Sequence, residues 1–139
     1  MSRFVLDASV TIAWCFADET TAYTEAVLET LAAGGEARAP AIWPLEVANV
    51  LINAERRKRI TLAKTSSFLQ LLAEFAISLD GAIAAQAFDR VLSLAREQHL
   101  SAYDAAYLEL AIREDLPLAT LDNDLKKAAR AVGVRIAGV

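Results

Sequence analysis

The sequence has very few of the residues that build disulfides, zinc sites or histidine-based catalytic triads. Its 139 residues include one cysteine, Cys15, and one histidine, His99. A single cysteine excludes an intramolecular disulfide and fits a reducing compartment. Cys15 lies among Ala13, Trp14 and Phe16, which favours a packed core thiol over a nucleophile. The sequence therefore argues against a zinc site and against a catalytic triad built on His99.

Glycine and proline are also scarce, and no long apolar run is present. Five glycines, three prolines and 55% hydrophobic residues indicate one compact domain over residues 1–139, without long disordered linkers. No apolar stretch reaches about 18 residues, so no membrane-spanning helix is predicted. Asp7 interrupts the apolar segment near the amino terminus, which argues against a signal peptide. We expect a soluble, cytoplasmic protein.

An excess of basic residues is lacking as well. The chain has 14 lysines and arginines against 18 acids, for a net charge of −4. That balance is unusual for a protein that binds nucleic acid. Setting aside four acids discussed below, Asp7, Glu46, Asp104 and Asp122, reduces the 18 acids to 14 and equals the basic count. The net charge alone therefore does not exclude a nucleic-acid ligand.

Strand and helix patterns alternate along the chain. Short apolar segments predict strands at 3–7, 37–41, 76–79, 116–121 and 134–137. Helical spacing predicts helices at about 9–16, 21–33, 44–56, 61–75, 83–98, 101–114 and 125–132, with Thr21 (or Thr20), Thr61 and Ser101 as N-caps. The predicted inward residues of two of these helices are Leu62, Phe68, Leu69, Leu72 and Phe75, and Ala84, Ala87, Phe88, Val91 and Ala95. This alternation predicts an α/β domain whose mostly parallel sheet is covered on both faces.

Acids follow two of the predicted strands. Asp7 ends the first strand, and ligands bind at the carboxyl ends of strands in open α/β sheets. Asp122 repeats this order of strand, acid and helix. The alternative is that Asp7 or Ser9 only caps the next helix. Asp124 is expected to cap the last helix and is the second choice as a site acid.

Two further acids lie in the first turns of predicted helices. Glu46 follows Pro44, and the helix dipole alone would favour a carboxylate there. Asp104 shares a helix face with the apolar residues Tyr107, Leu108 and Ala111, because each residue advances about 100°. Ser101 is better placed than Asp104 as a cap. On the same helix, Glu109 and Arg113 are expected on roughly the opposite face.

Several carboxylates in one crevice would require a cation. Two carboxylates about 4 Å apart repel by roughly 4 kcal/mol at an effective dielectric constant near 20. Oxygen ligands without histidine or cysteine select Mg²⁺ or Mn²⁺ over zinc. These ions assist hydrolysis of phosphodiesters by lowering the pKa of the attacking water.

Four segments together resemble the motifs of PIN-domain proteins, in particular the VapC-type toxins of bacterial toxin–antitoxin pairs. They are Phe4-Val5-Leu6-Asp7-Ala8-Ser9, Glu46-Val47-Ala48-Asn49-Val50-Leu51, Ser101-Ala102-Tyr103-Asp104-Ala105-Ala106-Tyr107 and Leu118-Ala119-Thr120-Leu121-Asp122-Asn123-Asp124-Leu125. No single segment is specific, but the four in this order and spacing are. The resemblance covers nearly the whole chain.

The resemblance implies a three-layer α/β/α domain with a five-stranded parallel sheet. It also implies an endoribonuclease that uses one or two Mg²⁺ or Mn²⁺ ions, forms a homodimer and is inhibited by a VapB-like antitoxin. Its catalytic and metal-binding residues would be Asp7, Glu46, Asp104 and Asp122, supported by the hydroxyls of Ser9 and Thr120 and by Asn49.

Two basic clusters are candidates for contact with RNA, although such clusters are usually solvated surface. They comprise Arg56, Arg57, Lys58 and Arg59, and Lys126, Lys127 and Arg130. The main alternative function is a catalytically silent PIN fold that serves as a binding or assembly module. A phosphatase with Asp7 as nucleophile ranks last, because Ser9 occupies the position where a second acid is expected.

Overall fold

The computed structural model describes residues 2–138 and is organised around a parallel sheet. Its strands are β1 (Arg3–Leu6), β2 (Glu36–Pro40), β3 (Ala76–Asp80) and β4 (Leu118–Ala119). They pair in the order β3-β2-β1-β4, and all pairs are parallel. The apolar residues Phe4, Val5 and Leu6 of the central strand β1 are buried. The predicted parallel α/β fold is confirmed.

The predicted fifth strand, 134–137, is reduced to one parallel bridge between Ile136 and Leu118. The Leu118 amide donates to the Arg135 carbonyl, and the Ala137 amide donates to the Leu118 carbonyl, both at 2.8 Å. β4 has only two residues, so it offers little length for a further ladder. Within residues 2–138 the sheet therefore has four strands rather than five.

Eight α-helices flank the sheet in the described part of the chain. They are α1 (Ala8–Ala13), α2 (Ala22–Ala32), α3 (Trp43–Arg56), α4 (Leu62–Ala73), α5 (Ile83–Gln86), α6 (Leu92–Gln98), α7 (Ala102–Glu114) and α8 (Asn123–Ala131). The hydroxyls of Thr21, Thr61 and Ser101 accept the expected capping bonds from backbone amides. Within residues 2–138, no helix is long and apolar enough to cross a membrane.

The helix predicted over 83–98 is interrupted by a π-helical turn, Ala87–Val91, between α5 and α6. A π turn contains more residues than an α turn, so it rotates the side chains that precede it relative to those that follow. Val91 remains buried, whereas Phe88 is 93% exposed and Ala84 also lies at the surface. The prediction that Phe88 and Ala84 face the core is wrong for this reason.

Helix α4 buries a narrower face than its sequence indicates. Phe68 and Leu72, one turn apart, are buried, but Leu62 and Leu69 are 74% and 48% exposed. The prediction that these two leucines point inward is wrong. Leu69 instead lines an open apolar groove between α3 and α4, with a volume of about 520 Å³.

Helix α7 is buried around most of its circumference, which overturns the expected outward position of Glu109. Residues 105–111 are all buried, and Glu109 is only 1% exposed. Arg113 donates to Glu109 at 2.8 Å and to Asp80 at 2.7 Å. Arg38 of β2 donates to both carboxylate oxygens of Glu114 at 2.8 Å. These ion pairs fix α7 against β2 and β3, and the guanidinium of Arg113 lowers the pKa of Asp80.

Candidate active site

Asp7 is held at the carboxyl end of β1 by two hydroxyl groups. Ser9 Oγ donates to Asp7 Oδ2 at 2.6 Å, and Thr120 Oγ1 donates to the same oxygen at 2.7 Å. Asp7 occupies the N-cap position of α1, but its side chain makes no capping bond. Burial raises the pKa of Asp7, and the two hydroxyls oppose that rise. The alternative that Asp7 acts only as a cap is therefore not supported.

The same two hydroxyls tie the end of β1 to the segment after β4. Ser9 Oγ accepts from the Leu121 amide at 3.0 Å, and Thr120 Oγ1 accepts from the Asp122 amide at 3.1 Å. Each hydroxyl therefore both donates to Asp7 and accepts from the backbone, which leaves little freedom to rotate. Residues more than 110 positions apart in the sequence fix the orientation of one carboxylate.

Asp122, rather than Asp124, caps α8. Asp122 Oδ1 accepts from the Leu125 amide at 2.9 Å, and Asp122 directly precedes the first helical residue, Asn123. The prediction that Asp124 caps this helix is wrong, because Asp124 lies inside the first turn, where its side chain is exposed. Asp122 is only half-buried and lines the crevice described below.

Glu46 lies in the first turn of α3, as predicted, and is oriented by a residue that the sequence interpretation had not singled out. Tyr107 Oη, on α7, donates to Glu46 Oε1 at 2.6 Å. Burial raises the pKa of Glu46; the Tyr107 hydrogen bond opposes that rise, and the charge of Asp7 adds to it. Tyr107 occurs three residues after Asp104, and this spacing on one helix face was the available signal.

Asp104 shows that the four predicted acids are close enough to interact. Its pKa is raised from 3.8 to about 6, first by burial and then by repulsion from the other site acids Asp7, Asp122 and Glu46, with Asp124 contributing last. Four separate parts of the chain therefore bring their carboxylates to one electronegative site at the carboxyl end of the sheet. Their roles in catalysis and metal binding remain predictions.

A crevice of about 600 Å³ is lined by two of these acids, Glu46 and Asp122. Asn49 lines it together with Glu46, and a supporting role for Asn49 stays a prediction. Further lining residues are Ala8, Ser9, Ile12, Glu19, Val50, Arg59 and Leu121.

The basic residues predicted to contact RNA differ in their position relative to the crevice. Arg59 lines the crevice, whereas the other members of its cluster, Arg56, Arg57 and Lys58, are exposed and do not line it. On α8, Lys126 lies over the ring of Tyr23, with its ammonium 5.9 Å from the ring centroid. Lys127 and Arg130 are exposed on the same helix.

The crevice fits a hydrated divalent ion better than a preformed metal cage. Within residues 2–138, no three carboxylate, histidine or cysteine side chains are grouped closely enough to hold a metal ion by themselves. Mg²⁺ usually keeps several waters and is bound through one or two carboxylates. An oxygen-only set of mutually repelling acids, open to solvent on one side, has the chemistry that such an ion requires.

Comparison with known proteins identifies the family. The sequence model of the PIN-domain family matches residues 4–131, so the chain belongs to this family. PIN domains are generally nucleases and typically use divalent metal ions. The fold is similar to the crystal structure of PAE2754 from Pyrobaculum aerophilum, with a TM-score of 0.67 and 25% identity over 91% of this chain and 79% of that chain. No curated protein matches significantly.

Proposed function

We propose that this PIN domain is a Mg²⁺- or Mn²⁺-dependent endoribonuclease that hydrolyses RNA phosphodiester bonds. The observation that carries the proposal is the convergence of Asp7, Glu46 and Asp122 on Asp104, whose pKa is raised to about 6 first by burial and then by their charges. Such a cluster is stabilised by a divalent cation and has no evident use without one. When bound, the ion lowers the pKa of a water ligand and neutralises charge on the phosphate.

The protein side chains have separable roles in this proposal. Asp7 would be the most rigidly held ligand, because Ser9 of α1 and Thr120, just after β4, both donate to its carboxylate. Tyr107 donates a hydrogen bond to Oε1 of Glu46 and so orients the carboxylate. This leaves Oε2 of Glu46 available for the ion. Asp104 and Asp122 complete the negative site and would help to hold the ion. Asn49, which lines the crevice, supplies a neutral polar group beside them.

The experiment is cleavage of RNA with Mg²⁺ or Mn²⁺, compared among the wild type, Asp7→Asn and Asp104→Asn. We expect each variant to lose at least about 100-fold in activity, since each removes a charged ligand but keeps the shape of the side chain. Asp89→Asn, at an exposed position of the π turn, is the matched control and should cleave like the wild type. Undiminished cleavage by Asp7→Asn or Asp104→Asn would overturn the proposed site.

We further propose that the chain acts as a VapC-type toxin paired with a VapB-like antitoxin and forms a homodimer in the cytoplasm. The resemblance of the four motifs supports the pairing, and the open apolar groove between α3 and α4 offers a surface for a protein partner. Regulated expression in a bacterial host tests the role: growth arrest by the wild type, but not by Asp7→Asn, is expected. Equal growth with both would contradict it.

A catalytically silent module is the second candidate, and one observation favours it. Within the described residues no ready-made group of three metal ligands exists, and a module that only binds partners needs none. Calorimetric titration with Mn²⁺ discriminates between the two. Binding that is lost in Asp7→Asn supports the nuclease, and absence of binding to the wild type supports the module.

A further inference from the structure

Arg59 differs from the other basic residues in its position at the rim of the acidic crevice. It is the one basic side chain among the described residues that line this crevice, where it accompanies Glu19, Glu46 and Asp122. An RNA backbone that approaches three carboxylates is repelled unless positive charge is also present. Arg59 is thus the protein's own positive charge at the place where the proposed function requires a phosphate.

The backbone at the end of α3 fixes the position of Arg59. Helix α3 ends just before it, and Lys58 adopts a left-handed conformation with φ 58°. The Arg59 amide then donates to the Ala54 carbonyl at 2.8 Å, which closes the helix end. Ile60, the next residue, is buried and anchors the chain.

Three side chains from the segment after α1 hold the guanidinium of Arg59. Its central carbon lies 4.1 Å from the centroid of the Phe16 ring. Nη2 lies 2.7 Å from both carboxylate oxygens of Asp18, and Nη1 lies 2.9 Å from Glu19 Oε2. The planar fork of arginine, which matches carboxylate and phosphate equally well, is therefore occupied by internal counter-ions.

The ion pairs of Arg59 with Asp18 and Glu19 lie at exposed positions, where another anion can replace the carboxylates. The side chains of Asp18, Glu19 and Arg59 are 74%, 40% and 40% exposed, and ion pairs at such positions contribute little to stability. The contact with the Phe16 ring is separate from these pairs and involves no carboxylate.

We propose that Arg59 binds the phosphodiester backbone of RNA at the rim of the crevice, and that Asp18 and Glu19 compete with the RNA for its guanidinium. This inference rests on the proposed nuclease function and adds a regulatory element to it. Phe16 keeps the guanidinium in position, and the two acids restrain binding until a phosphate displaces them.

The test is RNA binding, measured by fluorescence anisotropy with a labelled single-stranded RNA and with Ca²⁺ in place of Mg²⁺ to suppress cleavage. Arg59→Ala should weaken binding about threefold to tenfold and reduce the slope of log K against log salt by about 0.7. Arg96→Ala, at an exposed position of α6, is the matched control and should leave both quantities unchanged.

The double variant Asp18→Asn/Glu19→Gln is expected to change RNA binding in the opposite direction, and this first measurement does not require Arg59→Ala to fold. It should tighten RNA binding, and the gain should disappear when Arg59→Ala is added, because the acids act through Arg59. Glu29→Gln, at an exposed position of α2, controls for the general loss of negative charge. A gain that persists without Arg59 overturns the competition.

Two further outcomes separate the inference from the proposed function. If the wild type binds RNA and Arg59→Ala binds equally well, the inference fails and the nuclease proposal stands. If the wild type does not bind RNA at all, both fail together.

Discussion

Replacing Asp104 with asparagine should stabilise the metal-free protein at neutral pH. The native environment raises the pKa of Asp104 from 3.8 to about 6, so the folded protein disfavours its charged form. Asparagine has nearly the same shape and no charge, which removes the repulsion from Asp7, Asp122 and Glu46. Ser101 Oγ accepts its capping bond from the backbone amide of residue 104, so the substitution retains this bond.

The magnitude follows from the pKa difference between the folded and unfolded states. The difference between 3.8 and about 6 corresponds to about 3 kcal/mol at full effect. Because Asp104 is half-buried, solvent screening reduces this to about 1.5 kcal/mol. The carboxylate also interacts favourably with the amino-terminal end of α7, and asparagine loses this interaction. The expected gain in stability therefore falls by roughly a further 0.5 kcal/mol. We therefore expect Asp104→Asn to gain about 1 kcal/mol at pH 7.5.

The pH dependence has a definite sign. A carboxylate with a raised folded-state pKa binds its proton more tightly in the native state, so protonation of Asp104 stabilises the fold. That contribution is fully present below about pH 4 and is lost as the pH rises through about 6. The advantage of Asp104→Asn should therefore be small near pH 4 and should grow between about pH 4 and pH 7.

Urea denaturation in the presence of EDTA, followed by circular dichroism from pH 4.5 to 8, measures this difference. Asp89→Asn is the control for the loss of one exposed acid. Addition of Mg²⁺ should stabilise the wild type more than Asp104→Asn, since only the wild type retains the full charge cluster. A variant that is less stable than the wild type at pH 7.5, or whose difference does not depend on pH, would refute the reasoning.

Two other predictions concern residues that support the site. Arg113→Met should destabilise the protein by about 2 to 4 kcal/mol, because it leaves the buried carboxylate of Glu109 without its partner; urea denaturation against Arg96→Met as control measures this, and a loss below about 1 kcal/mol would contradict it. Tyr107→Phe should raise the pKa of Glu46, since the lost hydrogen bond opposes protonation. The acidic limb of the activity profile should then move to higher pH, and an unmoved limb would exclude this role for Tyr107.

The fold, and the positions of the four candidate acids at strand ends and in first helical turns, were predictable from sequence because their signals are local. Asp7 ends a short apolar run, and Asp104 shares a helix face with apolar residues, so each stands out against its immediate neighbours. The alternation of strands and helices likewise fixes the parallel arrangement of the sheet. The same local signals indicated the caps Thr21, Thr61 and Ser101.

The features that were missed depend on partners far away in the sequence. The burial of Glu109 follows from the position of α7 between other elements and from its pairing with Arg113, which also contacts Asp80 of β3. The exposure of Phe88 follows from one π turn that no residue pattern announced. The position of Arg59 at the crevice depends on Asp18, Glu19 and Phe16, about 40 positions earlier.

The hydroxyl bridge from Thr120 to Asp7 has a consequence for the time at which the protein becomes competent during its synthesis. Asp7 and Ser9 are made more than 110 residues before the groups that fix their orientation, Thr120 and the Leu121 amide. A growing chain on the ribosome therefore carries an incomplete candidate site until the segment containing these residues has emerged. Under the proposed nuclease function, this order would delay cleavage until the chain has left the message and the ribosome that are producing it.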